Sequence, residues 1–386
     1  MAVSSKIYDV AIVGAGPAGS SLAYWLTQKG FNVVIIDKDF FPRKKVCAGG
    51  LTAKITKILP FDIDSVIENK IYQVSLTHKL KSEFTKRYDK TLIYAVNRAR
   101  FDDFLVKQAK NIGANFLENE KAKKLKLGKD ISIILTTNKT IKAKVIVGAD
   151  GADSFVAKSI GLKPFDYLRI GIQAELPIKK YIANYEDRIS LDWGTIHYGY
   201  AWVFPKGDLL SVGVGGPINL GQQLKDYLSR FLKNRDLKTG NVKLTGHLIP
   251  HRISKNPISL DRVLLVGDAA GLVDFWTGEG IFYAIRSSQI AVKSIKDFFD
   301  RDKKNLMDYE MNINRILLPE LKASYFFSRL FNHFSPCMSG LIKNFDYPAD
   351  IFFRTMRGDR TFLEIKKRLR PDILLKKLFI KSQRIK

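Results

Sequence analysis

Tyr8-Asp-Val-Ala-Ile-Val-Gly14-Ala-Gly16-Pro-Ala-Gly19 is the stretch on which the reading of this chain turns. The apolar run Tyr8 to Val13 stops on glycine, Ala18 to Gln28 reads as helix, and Phe31 to Ile36 reads as a second strand ending at Asp37. Strand, glycine turn, helix and strand make a βαβ unit. Gly14 permits the tight turn, Gly16 lets the backbone approach a pyrophosphate, and Gly19 packs helix on strand. Pro17 and Ala18 open the helix, whose first N–H groups are free to face phosphate. Asp37 suits a ribose 2′-hydroxyl, with Lys38 beside it on the cofactor side.

Two later segments share this grammar. Val145-Ile-Val-Gly148-Ala-Asp150-Gly151-Ala-Asp153-Ser154 is a strand that stops on glycine and acid, and Val266-Gly267-Asp268-Ala-Ala-Gly271 follows the β-rich run Arg262 to Val266. Any one of the three is compatible with an ordinary turn. In this order they resemble the FAD-dependent oxidoreductases of the hydroxybenzoate-hydroxylase type. That resemblance implies bound FAD, with Gly267 and Asp268 at the ribityl chain and Asp150 supporting the nucleotide side.

Composition narrows the classes. A chain of 386 residues with 46% hydrophobic content can bury a real core. No run approaches the roughly 20 apolar residues of a membrane span, and the start lacks a signal-peptide pattern, so a cytoplasmic location is expected. Cys47 and Cys337 offer no disulfide framework, and the five histidines lack ligand spacing, so no metal is expected. The 64 Lys and Arg against 38 Asp and Glu give a net charge of +26, a field that draws anions. No nucleic-acid module accompanies it. Anionic lipid, a phosphorylated substrate or an acidic electron carrier remain, beside a general surface bias of the kind seen in heat-adapted proteins.

The expected architecture is α/β: a Rossmann-type FAD-binding lobe (1–70, 96–165 and 255–295) interleaved with a mainly antiparallel β substrate lobe (71–95 and 166–254), and a helical C-terminal cap (296–386). Asn97-Arg98-Ala-Arg100-Phe101 enters an amphipathic helix, and either arginine is placed to hold a pyrophosphate; Arg98 is the candidate. Lys121 to Val147 reads as a β-meander. In Ile196 to Pro205, alternation sets Tyr198, Tyr200, Trp202 and Phe204 on one strand face. Such a face lines a core or a ligand. The end, from Arg368, sets Leu374, Leu375, Leu378 and Phe379 among lysines, a helix that either lies on an anionic membrane or docks on the protein.

Phe41-Pro42-Arg43-Lys44-Lys45-Val46-Cys47-Ala48-Gly49-Gly50-Leu51, Asp274-Phe-Trp276-Thr277-Gly278-Glu279-Gly280-Ile281 and Tyr200-Ala-Trp202-Val-Phe204-Pro205 together resemble the geranylgeranyl reductase family. The resemblance covers most of the chain to about residue 290. It implies reduction of isolated double bonds in prenyl chains, on archaeal-type ether lipids, diphosphates, chlorophyll precursors or quinone side chains. Cys47, Ala48 and Gly49 would lie near the flavin, with Ala48 where many members carry glycine. Tyr198, Tyr200, Trp202, Phe204, Pro205 and Trp276 would line a lipid tunnel, and this moves the aromatic face from core to tunnel. Cys47, Tyr200 and Trp202 are the catalytic candidates, Cys47 as proton relay or as a small residue leaving room. Gly278, Gly280 and Ile281 would bring a helix N-terminus to the flavin, while Glu279 would cap backbone donors. An isolated alkene has no carbonyl to take charge, so hydride from flavin must be matched by a proton in a dry site. Aromatic π faces favour cationic carbon. The electron donor would be NAD(P)H or an acidic ferredoxin. An aromatic hydroxylase on the same fold is the rival, and a disulfide reductase is disfavoured because Gly213-Val-Gly215-Gly216 makes no second dinucleotide motif.

Overall fold

The computed structural model describes residues 3–178, 182–238 and 242–369. The lysine-rich helix expected after Arg368 therefore lies, from residue 370 on, outside the described residues.

The βαβ unit forms as the glycine spacing predicts. Strand Val3–Val13 leads into helix Pro17–Gln28 and then strand Val33–Ile36. These strands pair in parallel, with Val13 opposite Ile36 on one side and Gly148 on the other. Gly148 in turn faces Leu265 of Val263–Leu265. The first sheet runs Ser259–Leu260, Val263–Leu265, Thr140–Gly148, Val3–Val13, Val33–Ile36, Asn115–Leu117, and hairpins Lys124–Lys126 and Ser132–Leu135 extend it off Thr140–Gly148. The central strands are apolar on both faces because helices cover them, as parallel strands require. Helix Ile281–Asp300 docks on the first helix, where the Ser288 hydroxyl donates to the Ala18 carbonyl at 2.8 Å.

The second sheet has seven strands, in the order Thr245–His251, Tyr167–Pro177, Leu209–Pro217, Tyr200–Lys206, Arg188–Trp193, Gln73–His78, Lys81–Arg87. All pairs are antiparallel except Arg188–Trp193 with Gln73–His78. One face is closed by helix Gly221–Asn234, whose Leu224, Tyr227, Leu228 and Phe231 recur at helical spacing and are buried. Ala201 and Val203 point into that core. Alternation sends Tyr200, Trp202 and Phe204 to the opposite face. The strand starts only at Tyr200, and Tyr198 lies in the preceding turn with φ +56°, so the four aromatics do not share one strand. Gly213, Gly215 and Gly216 lie inside strand Leu209–Pro217, consistent with the absence of a second dinucleotide turn. Their function is spatial: a Cβ on Gly213 would meet the Trp202 indole at 2.5 Å, and one on Gly215 at 3.5 Å.

A third sheet, Gly50–Thr52, Ile93–Val96 and Ile67–Ile71, packs beside strand Tyr200–Lys206 and helix Ile281–Asp300, and is absent from the two-lobe expectation. Among the described residues, five helices follow residue 300: Met307–Ile316, Leu318–His333, Ser335–Asn344, Asp346–Met356 and Phe362–Arg368. They form the expected helical C-terminal cap, and it packs onto the sheets. Ala349, Phe353 and Met356 pack on Ile71, Val74, Leu92 and Ile93, and the Arg357 guanidinium donates to the Thr91 carbonyl at 2.6 Å.

His251 ends the outer strand of the second sheet against the loop after Asp268. Its Nδ1 pairs with the Val273 carbonyl at 3.1 Å, its ring lies 4.8 Å from that of Phe275, and Nε2 is buried without a partner. Burial, and then the charge of Arg169, hold its pKa down to about 3. The unfolded chain takes up this proton near pH 6.5 and the folded chain does not, so stability falls as pH drops between the two values. The slope contributed is about 1.4 kcal/mol per pH unit. Urea unfolding at pH 7.5, 6 and 5 is expected to show wild type losing more stability than His251→Asn, which keeps the donor to Val273 and cannot titrate; parallel losses would disprove it.

Candidate active site

The carboxyl ends of the central strands of the first sheet meet the open face of the second around a cavity of about 730 Å³. At one end lie Gly14, Gly16, Asp37 and Lys38; at the other, Trp276, Phe331, Ile342 and Phe352. Cys47, Tyr200 and Trp202 lie along the same cavity.

The polar half has the features of a dinucleotide cradle. A Cβ on Gly14 would collide with the Ala149 carbonyl, and one on Gly19 with the Gly14 carbonyl, so loop and helix meet at a distance only glycine allows. The helix from Pro17 has no side-chain cap, leaving its N–H groups to an anion. Asp37 accepts from the Ala15 N–H at 2.7 Å and from the Asp39 N–H at 3.0 Å. Asp102, fully buried, accepts two bonds from Arg98 at 2.8 Å and faces Arg43 Nη2 at 3.1 Å. Arg43 Nη1 is buried without a partner. Two guanidiniums on one carboxylate leave excess positive charge beside the glycine loop, which fits a pyrophosphate. FAD, with its adenosine and diphosphate, fits these donors.

Around the middle of the cavity the charges are coupled. Burial works to raise the Asp268 carboxyl, but His247, at 3.7 Å, and then Lys45 and Arg98 hold it below the usual range. Burial and the neighbouring Arg98 charge push the Lys45 ammonium down. Burial opposes the charge on Arg98, and Asp102 more than restores it; the same guanidinium reaches the Cys47 thiol. Gly49 donates its N–H to Cys47 Sγ at 3.4 Å, while Gln173 and Lys206 each donate to the Cys47 carbonyl at 3.4 Å. Lys206 is itself buried and paired with Glu175 at 2.6 Å. Tyr200 donates to the Thr277 carbonyl at 2.9 Å, and burial raises its phenol, so it stays protonated.

Most of the expected residues line this cavity: Pro17, Ala18, Ala48, Arg98, Asp150, Asp268, Gly278, Gly280, Ile281, Tyr198 and Phe204 among them. Several do not act as expected. Pro205 points away from the cavity, because it has the parity of Ala201 and Val203. Gly267, with φ +59°, is wedged between Ala18 and Ala284, and Gly49 likewise supports the site from behind, whereas Gly19 packs the helix on the glycine loop as expected. Asp150 is turned back on its own loop, accepting from the Ser154 hydroxyl and the Val156 N–H. Glu279 caps no backbone donor; it accepts from the Thr52 hydroxyl and pairs with Lys54 at 2.6 Å. Arg100 is exposed and paired with Glu68, which leaves the site to Arg98.

Several lining or supporting residues escaped the sequence reading. Arg43 and Lys45 lie inside the quoted cysteine stretch, and Asp102 follows Arg98 at the i,i+4 helix spacing, so both signals were present. His247, Gln173 and Lys206 carry no local signal.

The fold and this site define an FAD-dependent oxidoreductase, and a model of the FAD-binding domain matches residues 7–169. The chain is 32% identical to the digeranylgeranylglycerophospholipid reductase of Thermoplasma acidophilum, over 76% of this chain and 78% of that protein. It is 27% identical to the chloroplastic geranylgeranyl diphosphate reductase of Arabidopsis thaliana, over 88% and 78%. A crystal structure of a geranylgeranyl bacteriochlorophyll reductase-like protein of Thermoplasma acidophilum superposes with a TM-score of 0.76 at 26% identity, covering 84% of this chain and 87% of that one. The chain belongs to the geranylgeranyl reductase family.

Asp102→Asn leaves two buried guanidiniums facing an amide. Breaking a buried pair of this kind costs about 3–5 kcal/mol. The variant is expected to lose FAD on gel filtration and to unfold at lower urea, whereas Arg100→Ala keeps its flavin; full flavin occupancy in Asp102→Asn would refute this role.

Proposed function

We propose that the protein saturates isolated double bonds of geranylgeranyl or related prenyl chains, carried on an archaeal-type ether-lipid precursor. The observation that carries this reading is the apolar half of the cavity, walled by Trp276, Phe331, Ile342, Phe352 and Phe353 and continuous with the dinucleotide cradle. A hydrocarbon chain needs such a wall; a small polar aromatic substrate does not.

Bound FAD, once reduced, supplies the hydride. The chain's own residues exclude water and handle the proton. Trp202 lies flat over Gly213 and Gly215, its Nε1 3.5 Å from the Ser211 hydroxyl, so an indole face is held toward the cavity. That face favours positive charge developing on carbon. Tyr200 is spent on the Thr277 carbonyl and fixes the loop through Gly278, where a Cβ would meet the Tyr200 hydroxyl at 2.8 Å. Cys47 is the proton donor of this reading. Its S–H bond breaks as a C–H bond forms, the charge left on sulfur faces Arg98, and solvent later returns the proton. Each reduced bond thus gains one hydride and one proton. NAD(P)H or an acidic ferredoxin would supply the electrons, and the net charge of +26 favours the acidic carrier.

Chemically reduced enzyme, incubated without oxygen with digeranylgeranylglycerophospholipid or geranylgeranyl diphosphate, is expected to give products heavier by two mass units per bond. No product without oxygen, together with products heavier by sixteen in a parallel incubation with oxygen and reductant, would establish the hydroxylase instead.

Loss of a general acid costs about 10²–10⁴ in rate. Cys47→Ala is therefore expected to lower single-turnover reduction by at least about a hundredfold with FAD retained, and Cys47→Ser to recover part of it. Equal, near-native rates in both variants would remove Cys47 from proton transfer.

A further inference from the structure

Helix Ser335–Asn344 forms part of the cavity wall and part of the outer surface. Phe334, Cys337, Leu341 and Phe345 recur at intervals of three, four and four residues, so they lie along one stripe. That stripe faces outward: Phe334 is 49% exposed, Leu341 40% and Phe345 59%, and Tyr347, just past the corner, 70%. Met338 and Ile342, one position further round, line the cavity. The helix thus carries one apolar surface that runs from the cavity lining to the exterior. Monomeric proteins rarely expose grouped large apolar side chains without a partner.

The surrounding charge identifies that partner. Lys343 is exposed on this helix, and Lys322 and Arg329 are exposed on the preceding helix Leu318–His333. Between residues 322 and 347 the sequence holds one acid, Asp346, and Lys86 pairs with it at 2.7 Å. Lys366 lies 4.6 Å from the ring of Phe326, another exposed aromatic of this region. Apolar side chains interleaved with cations suit an interface with anionic headgroups over hydrocarbon.

We propose that the rim formed by helix Ser335–Asn344 and its corner into Asp346–Met356 docks on an anionic lipid bilayer. Phe334, Leu341, Phe345 and Tyr347 enter the headgroup boundary, and the prenyl chain passes along Met338 and Ile342 into the cavity without crossing water. The proposal rests on the prenyl-lipid reading above. No helix among the described residues is long and apolar enough to cross a membrane, so the contact is peripheral.

The test uses the full-length, FAD-loaded protein and vesicles of equal parts phosphatidylglycerol and phosphatidylcholine. Wild type is expected to sediment with these vesicles at low salt, less at high salt, and little with phosphatidylcholine alone. Leu341→Asp with Phe345→Asp is expected to weaken partitioning at least tenfold, with flavin absorbance and thermal midpoint unchanged. Unchanged binding of the double variant would overturn the proposal. So would a concentration-dependent dimer that the substitutions dissociate without vesicle binding, which would give the surface to a second copy. Reduction of water-soluble geranylgeranyl diphosphate is expected to proceed equally in both proteins. If neither reduces it, the reductase reading fails while the vesicle result stands on its own.

Discussion

The site depends on a close approach of backbone at the carboxyl edge of the first sheet. Gly14 sits against the Ala149 carbonyl, Gly19 against Gly14, Gly148 against Leu265 and Val156, and Gly267 between Ala18 and Ala284. A methyl group at Gly148 or Gly267 would crowd neighbouring side chains, while one at Gly14 or Gly19 would collide with backbone and force the loop and helix apart. Because they stay together, three strand ends, the first helix and the helix from Ile281 converge on one place, and their unpaired N–H groups and acids share it. The polar half of the cavity follows from this packing.

The second lobe meets that edge with an asymmetric sheet. Its outer face is an ordinary core under helix Gly221–Asn234. Its inner face holds aromatics over glycines: the bulk of Trp202 is accommodated because Gly213 and Gly215 offer no side chain across the strand pair. Large and absent side chains alternate across neighbouring strands, which lets one ring lie parallel to the sheet and present its face to the cavity. The same lobe holds the Cys47 loop, since Gln173 and Lys206 both reach the Cys47 carbonyl from adjacent parts of the sheet. The second sheet thus holds in place the residue for which we propose the proton transfer.

What was legible in the sequence follows from the range of the interactions. Glycine turns, the βαβ order and the period-two aromatics are local: Gly14, Gly16 and Asp37 were readable from spacing, whereas alternation only put Trp202 and Phe204 on one face, and the family resemblance moved that face from core to cavity. Tyr198 was misread because alternation was extended across a turn whose left-handed residue the pattern does not announce. Pro205 was grouped with its neighbours by motif when parity alone sends it to the other face. His247 and Lys206 reach the site only through sheet register, which no local pattern encodes. The helices after residue 300 were legible as a cap, but helical periodicity marks an apolar stripe without saying whether it faces a core, a cavity or a membrane.

That ambiguity has a physical root. A helix at the mouth of a hydrocarbon channel must be apolar on the channel side, and if the ligand arrives from a bilayer it must be apolar on the outer side too. Helix Ser335–Asn344 meets both conditions with neighbouring stripes, Met338 and Ile342 inward and Leu341 and Phe345 outward. Its exposed surface would be a liability in water alone, and the positive charge around it offsets that liability by repelling other copies of the chain. The same charge attracts anions. On the proposed reading, the basic surface, the apolar rim and the cavity are therefore one arrangement, in which each part makes the others tolerable.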